Sequence, residues 1–94
     1  ESLACLILLM DVRHPLTDFD RQMLAWCAQS ELPVHVLLTK SDKLKRGAAQ
    51  NTLLTVKREL KKLHPEATAQ LFSALDGTGL DAARELLAEW LEIG

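Results

Sequence analysis

Tyrosine is absent from this chain, and aromatic residues make up only 4% of it, as two Trp and two Phe. Recognition by a row of stacking aromatics would have to rest on Trp26 and Trp90, which fall on apolar stripes and read as core anchors. Two cysteines, Cys5 and Cys27, lie far apart with no paired spacing, which excludes a disulfide framework and a cysteine zinc site. Both read as small core residues. With four glycines and three prolines there is no low-complexity tract or flexible linker. The longest apolar run begins at Leu3 and closes on Met10. It is too short to span a bilayer and lacks the basic flank and cleavage site of a signal peptide. No membrane partner is expected, and cytoplasmic residence is the default.

What is present suits one compact domain over residues 1–94, since 94 residues at 48% hydrophobic leave room for one core. The chain opens at Glu1 and plunges at once into an apolar element, so we expect a piece of something longer. The net charge of −2 hides an asymmetry, because residues 40–62 carry +6 and the remainder −8. The basic residues there include Lys57, Arg58, Lys61 and Lys62, read either as a solvated helix face or as a footprint for nucleic acid or phosphate.

Periodicity gives the order of elements. Residues 3–10 form a continuous apolar run of strand length, as in a parallel strand buried on both faces. Thr17 and Asp20 resemble a capping box ahead of a helix over residues 18–29, with Leu16, Phe19, Met23 and Trp26 or Cys27 at helical spacing. Residues 34–38 read as a second strand. Leu53, Val56, Leu60 and Leu63 mark a helix over 48–63 that Pro65 closes. A short strand over 69–73 runs into Asp76-Gly77-Thr78-Gly79, and a last amphipathic helix reaches about residue 92. Strands alternating with helix-length crossovers predict an α/β fold with a three-stranded parallel sheet and flanking helices, β-α-β-α-β-α. Ligands bind such sheets at the carboxyl ends of the strands, which places the functional loops at 11–16, 39–43 and 73–79.

One of those loops is Thr39-Lys40-Ser41-Asp42-Lys43. A carboxylate at Asp42 can accept two hydrogen bonds from the N1–H and exocyclic amino group of guanine, which adenine cannot supply. Lys40 and Lys43 can lay their alkyl stems along the faces of the base. His14 has no nucleophile beside it, so Asp11, Arg13 and His14 read as a structural turn in which Arg13 pairs with a carboxylate. His35 reads as a hydrogen-bonded strand residue, and His64 sits at a helix end where the dipole favours it.

With this layout the chain resembles the carboxy-terminal half of a translation-factor-type, P-loop GTPase domain. Residues 39–43 correspond to the fourth GTPase motif and Ser73-Ala74-Leu75 to the fifth. Asp11-Val12-Arg13-His14-Pro15, followed by Leu16-Thr17-Asp18-Phe19-Asp20, is similar to the Asp-x-Arg-His-Pro segment of the EngB/YihA/YsxC family of bacterial ribosome-assembly GTPases; the alternatives are another translation-factor-related GTPase subfamily, or a non-nucleotide α/β interaction module in which residues 39–43 are an ordinary helix-entry loop. The resemblance implies that GTP or GDP is the ligand and that Thr39, Lys40, Asp42, Lys43, Ser73, Ala74 and Leu75 form the guanine site. In it, Ser73 and Ala74 would present backbone N–H groups to the guanine carbonyl. It also implies Mg²⁺ in the intact parent and the large ribosomal subunit as partner, with Lys57, Arg58, Lys61 and Lys62 facing RNA.

Neither G-x-x-x-x-G-K-[ST] nor a D-x-x-G after a strand occurs in the chain, so it is not expected to hydrolyse GTP alone. By the same resemblance, the strand over residues 3–10 would lose a neighbour and Leu87 and Trp90 their cover. Self-association through that edge is the expected consequence.

Overall fold

A computed structural model describes the backbone of residues 6–91 and side chains through residue 89. Its elements are β1 (Leu6–Asp11), α1 (Asp18–Gln29), β2 (Val34–Thr39), α2 (Arg46–Leu63), β3 (Thr68–Leu71) and α3 (Leu80–Leu91), with a 3-10 turn at Ser41–Lys43. The three strands are parallel in the order β1-β2-β3. This is the expected α/β architecture. Leu3, Cys5 and the Trp90 side chain lie outside the described residues.

The pleat divides the sheet into two faces. Leu8, Met10, Val34, Val36, Leu38 and Ala69 share one of them, by the register Leu8↔Val36, Met10↔Leu38 and Val36↔Ala69. On that face α1 delivers Leu24 and Cys27 and α2 delivers Val56 and Leu60, which close the core. Each fully buried Leu or Val there contributes roughly 1.5–3 kcal/mol. Burial holds the Cys27 thiol protonated to higher pH than a free thiol. The opposite face carries His35, whose Nδ1 lies 2.6 Å from Thr68 Oγ1 and whose Nε2 lies 2.7 Å from Gln70 Oε1. His64 caps α2, with Nε2 2.8 Å from the Leu32 carbonyl.

The capping box forms as the sequence predicts: Thr17 Oγ1 accepts from the Asp20 N–H at 3.2 Å, and Asp20 Oδ2 accepts from the Thr17 N–H at 3.1 Å. The stripe that α1 buries agrees with the expected one at Met23 and Cys27 and departs from it at Phe19 and Trp26. Asp20, Leu24 and Cys27 face inward, while Phe19 and Trp26 are 64% and 53% exposed. Arg21 on one flank pairs with Glu59 of α2, and Phe19 and Trp26 occupy the flank turned away from α2. Trp26 is therefore not a core anchor.

Element ends shift by small amounts. β3 starts at Thr68, opposite His35, and stops at Leu71, because the left-handed backbone of Lys40 ends the regular ladder and the Phe72 carbonyl accepts from the Ser41 N–H. Lys45 is the extended N-cap of α2, which sets the helix start two residues earlier than its apolar period does. Among the described residues no strand pairs with the outer edge of β1, and Leu9, on the face opposite the core, is 61% exposed, so β1 is not buried on both faces as expected.

Candidate functional site

Hydrogen bonds continue beyond the strand ends and draw the three predicted loops together. Val12 N–H donates to Thr39 O at 3.0 Å, Phe72 N–H to Leu38 O at 2.9 Å, and Ser41 N–H to Phe72 O at 3.1 Å. Lys40 takes a left-handed backbone conformation, φ 60°, which turns the chain from β2 into the 3-10 turn. The turn in turn sets Asp42 opposite the loop that follows β3.

Ser73 is the anchor of that loop. Its side chain is wholly buried, and its Oγ donates to Asp42 Oδ1 at 2.7 Å. The same oxygen accepts from the Leu75 N–H at 3.2 Å and the Asp76 N–H at 3.3 Å. One donor and two acceptor sites are thus all used, which fixes the hydroxyl and with it the plane of the carboxylate. Asp76 Oδ1 accepts from both the Thr78 N–H and hydroxyl, at 3.0 and 2.6 Å. Thr78 holds the Asp76 carboxyl below its ordinary range.

Backbone donors in Ser73-Ala74-Leu75 divide differently from the expectation. The Ser73 N–H is committed to Thr78 O at 2.9 Å, and that of Leu75 to Ser73 Oγ. Ala74 alone of the three keeps an N–H with no partner among the described residues. A base carbonyl at this loop has one backbone donor to meet, at Ala74. Periodicity gives no hint of the Ser73 side-chain role, whereas the Asp-x-Thr spacing at 76–78 is a visible turn signal.

Thr39, Lys40, Asp42, Lys43, Phe72, Ala74 and Leu75 line a cleft of about 430 Å³. Six of the seven predicted guanine-site residues stand on its wall, and Ser73 stands behind Asp42. Asp42 also borders a second hollow of about 310 Å³ with Arg46, Gln50 and Asp76. Beside the cleft, Asp11 accepts from the Arg13 N–H at 2.8 Å, from Arg13 Nε at 3.1 Å and from the Arg13 guanidinium terminus at 2.9 Å. The Arg13 side chain and amide hold the Asp11 carboxyl well below the usual carboxylate range. His14 is exposed and joins no such network through its ring.

The basic segment splits in space. Lys40 and Lys43 line the cleft and Arg46 lines the second hollow, whereas Lys57, Arg58, Lys61 and Lys62 lie exposed toward the far end of the 18-residue α2. That end is roughly 20 Å away at 1.5 Å per residue. Among the described residues no three His, Cys, Asp or Glu side chains gather where a metal could sit, and no helix is long and apolar enough to cross a membrane.

Three parallel strands with helices, carrying the loops at the strands' carboxyl ends, define an α/β fold. Among solved structures the chain is similar to translation elongation factor SelB from Methanococcus maripaludis. The apo form matches at 19% identity with a TM-score of 0.82, and the form in complex with the GTP analogue GPPNHP at 24% with a TM-score of 0.80. Each match covers 96% of this chain, which spans 20% of the SelB chain. No family model matches the sequence. The likeness is one of fold, and it does not single out the ribosome-assembly GTPases that residues 11–20 resemble.

Proposed function

We propose that this chain is the base-reading part of a guanine-nucleotide-binding domain of translation-factor type. The observation that carries this reading is the Asp42 carboxylate, locked in plane by the buried Ser73 hydroxyl beside a cleft that also offers the unpartnered Ala74 N–H. An acceptor pair and a single donor match the edge of guanine and mismatch adenine, which presents an amino donor where guanine has a carbonyl. Lys40, Lys43, Phe72 and Leu75 supply the flanking walls. The phosphates of GTP or GDP, and Mg²⁺ with them, belong to residues of the intact parent, since this chain holds no phosphate loop sequence. Hydrolysis by the chain alone is not expected. Titration calorimetry with guanosine and adenosine tests the reading. Guanosine binding at least tenfold tighter supports it, and equal affinities would reject it.

A second reading concerns the partner. The resemblance of residues 11–20 to ribosome-assembly GTPases, together with the exposed Lys57, Arg58, Lys61 and Lys62, supports an RNA-facing surface on α2 and the large ribosomal subunit as the larger target. Lys62 lies 3.5 Å from Glu59, so its charge is partly offset. In the intact parent, replacing all four by Glu should weaken association with the large subunit and flatten its dependence on salt. An unchanged salt slope would dismiss the surface.

A further inference from the structure

We propose that Asp11 is a positioning residue for Lys40, and that Arg13 acts one step behind it by fixing the Asp11 carboxylate. This rests on the reading of the cleft as a guanine site. Lys40 lines that cleft with its stem, and its ammonium Nζ lies 3.8 Å from Asp11 Oδ2. The two residues come from neighbouring strand ends, where Asp11 stands opposite Thr39 in the β1–β2 register. Thr39 Oγ1 further ties β2 to the Met10 carbonyl at 3.2 Å, so the spacing between Asp11 and residue 40 is set by the sheet.

A lysine stem is a poor wall on its own. Four rotatable bonds give it large rotamer entropy, and the left-handed backbone at residue 40 directs only its root. Holding the head of the side chain removes most of that freedom before any base arrives, so less is lost on binding. Asp11 can act as the holder because it does not itself swing. Three Arg13 donors grip both of its oxygens, leaving lone pairs of Oδ2 toward Lys40. Asp11 thereby stays ionised far into acid. Lys43, the other cleft lysine, has no such partner among the described residues, which makes it an internal control.

The Lys40 side chain is more than half exposed, so the coupling is modest and screened by salt. Asp11→Asn is the informative change: asparagine keeps an acceptor for the Arg13 N–H and preserves the turn, but offers no charge to Lys40. Carbon-13 relaxation at the lysine Cε positions of the ligand-free chain should show Lys40 loosened by Asp11→Asn and Lys43 unmoved. Guanosine affinity is then measured in a cycle of Asp11→Asn, Lys40→Met and the double variant. We expect about a two- to fivefold loss from Asp11→Asn with Lys40 present and none with Met at position 40.

Equal losses in both backgrounds, or an unmoved Lys40 signal, would overturn the proposal and leave Asp11 as a turn residue only. Arg13→Gln frees the carboxylate without removing its charge, and should loosen Lys40 less than Asp11→Asn does. If the unaltered chain shows no guanosine preference, the base reading falls by itself, and the relaxation measurement still decides whether Asp11 holds Lys40.

Discussion

Asp42→Asn should abolish the preference for guanosine over adenosine and create one for xanthosine. In the native chain the carboxylate offers acceptors only, matched to the two adjacent donors of guanine. Asparagine replaces one acceptor by an NH₂ group. Because the Ser73 Oγ donates to Oδ1, the amide oxygen of the variant remains on the Ser73 side and the amide nitrogen takes the place of Oδ2. One guanine donor still meets an acceptor, while the other faces a donor.

A polar group left unpaired in a desolvated cleft costs about 1–3 kcal/mol, which is roughly ten- to a hundredfold in affinity. Xanthine carries a carbonyl where guanine carries its amino group and pairs with the new NH₂. A variant that merely misfolded would lose both nucleosides, so the crossover separates altered recognition from altered folding. Calorimetry with the three nucleosides checks it. Retained guanosine selectivity in Asp42→Asn would remove Asp42 from the base-reading role.

Short-range chemistry was legible in the sequence, and long-range side-chain geometry was not. The capping box of Thr17 and Asp20, the β2 strand beginning at Val34 and the arrest of α2 near Pro65 are encoded within a few residues, and the structure reproduces them. The burial stripe of α1 failed on a finer point. Period alone locates an apolar face to about one residue, and Trp26 and Cys27 are adjacent on the helix. What decides between them is the packing of Leu24 and Cys27 against sheet residues and against Val56 and Leu60 of α2, which are distant in sequence.

The site divides in the same way. Its membership could be read from three loops at strand ends, because parallel topology forces those ends together. Its internal wiring could not. Ser73 reaches Asp42 across 31 positions with its side chain, while its N–H is taken by the Thr78 carbonyl, so Ser73 is a clamp on the carboxylate and not a backbone donor toward the base. The sequence implies a carboxylate partner for Arg13 without naming it; the structure supplies Asp11, two positions away, and the extension to Lys40 depends on strand register.

A single methyl group should have three different effects at three glycines, the largest at Gly79. At Gly47, near the start of α2, an added Cβ meets nothing within 4 Å. Gly47→Ala should therefore stabilise the fold by up to about 0.5–1 kcal/mol through lower unfolded-state entropy and better helix propensity. Gly77 also has open space, but its φ is +81°, where an L side chain is strained. Gly77→Ala should cost about 1–2 kcal/mol.

Gly79 combines a φ of +75° with close packing: its Cβ would run into the Leu71 carbonyl oxygen and lie 2.6 Å from Gln70 Nε2. The Leu71 carbonyl is backbone at the end of β3 and cannot turn aside. Gln70 Nε2 donates to both Leu71 O and Gly79 O, at 3.1 and 2.8 Å, so yielding there would break the tie between β3 and the start of α3. Gly79→Ala is accordingly expected to cost more than about 3 kcal/mol, the strain of the left-handed backbone plus a clash that no rotamer relieves. Urea unfolding of the three variants gives the order Gly47→Ala, parent, Gly77→Ala, Gly79→Ala in decreasing midpoint. Because Ser73 and Gly79 bracket one loop, Gly79→Ala should also weaken guanosine binding where folding survives. A Gly79→Ala midpoint equal to that of Gly77→Ala would mean that the loop can move off Leu71, and that the tie through Gln70 does not hold it in place.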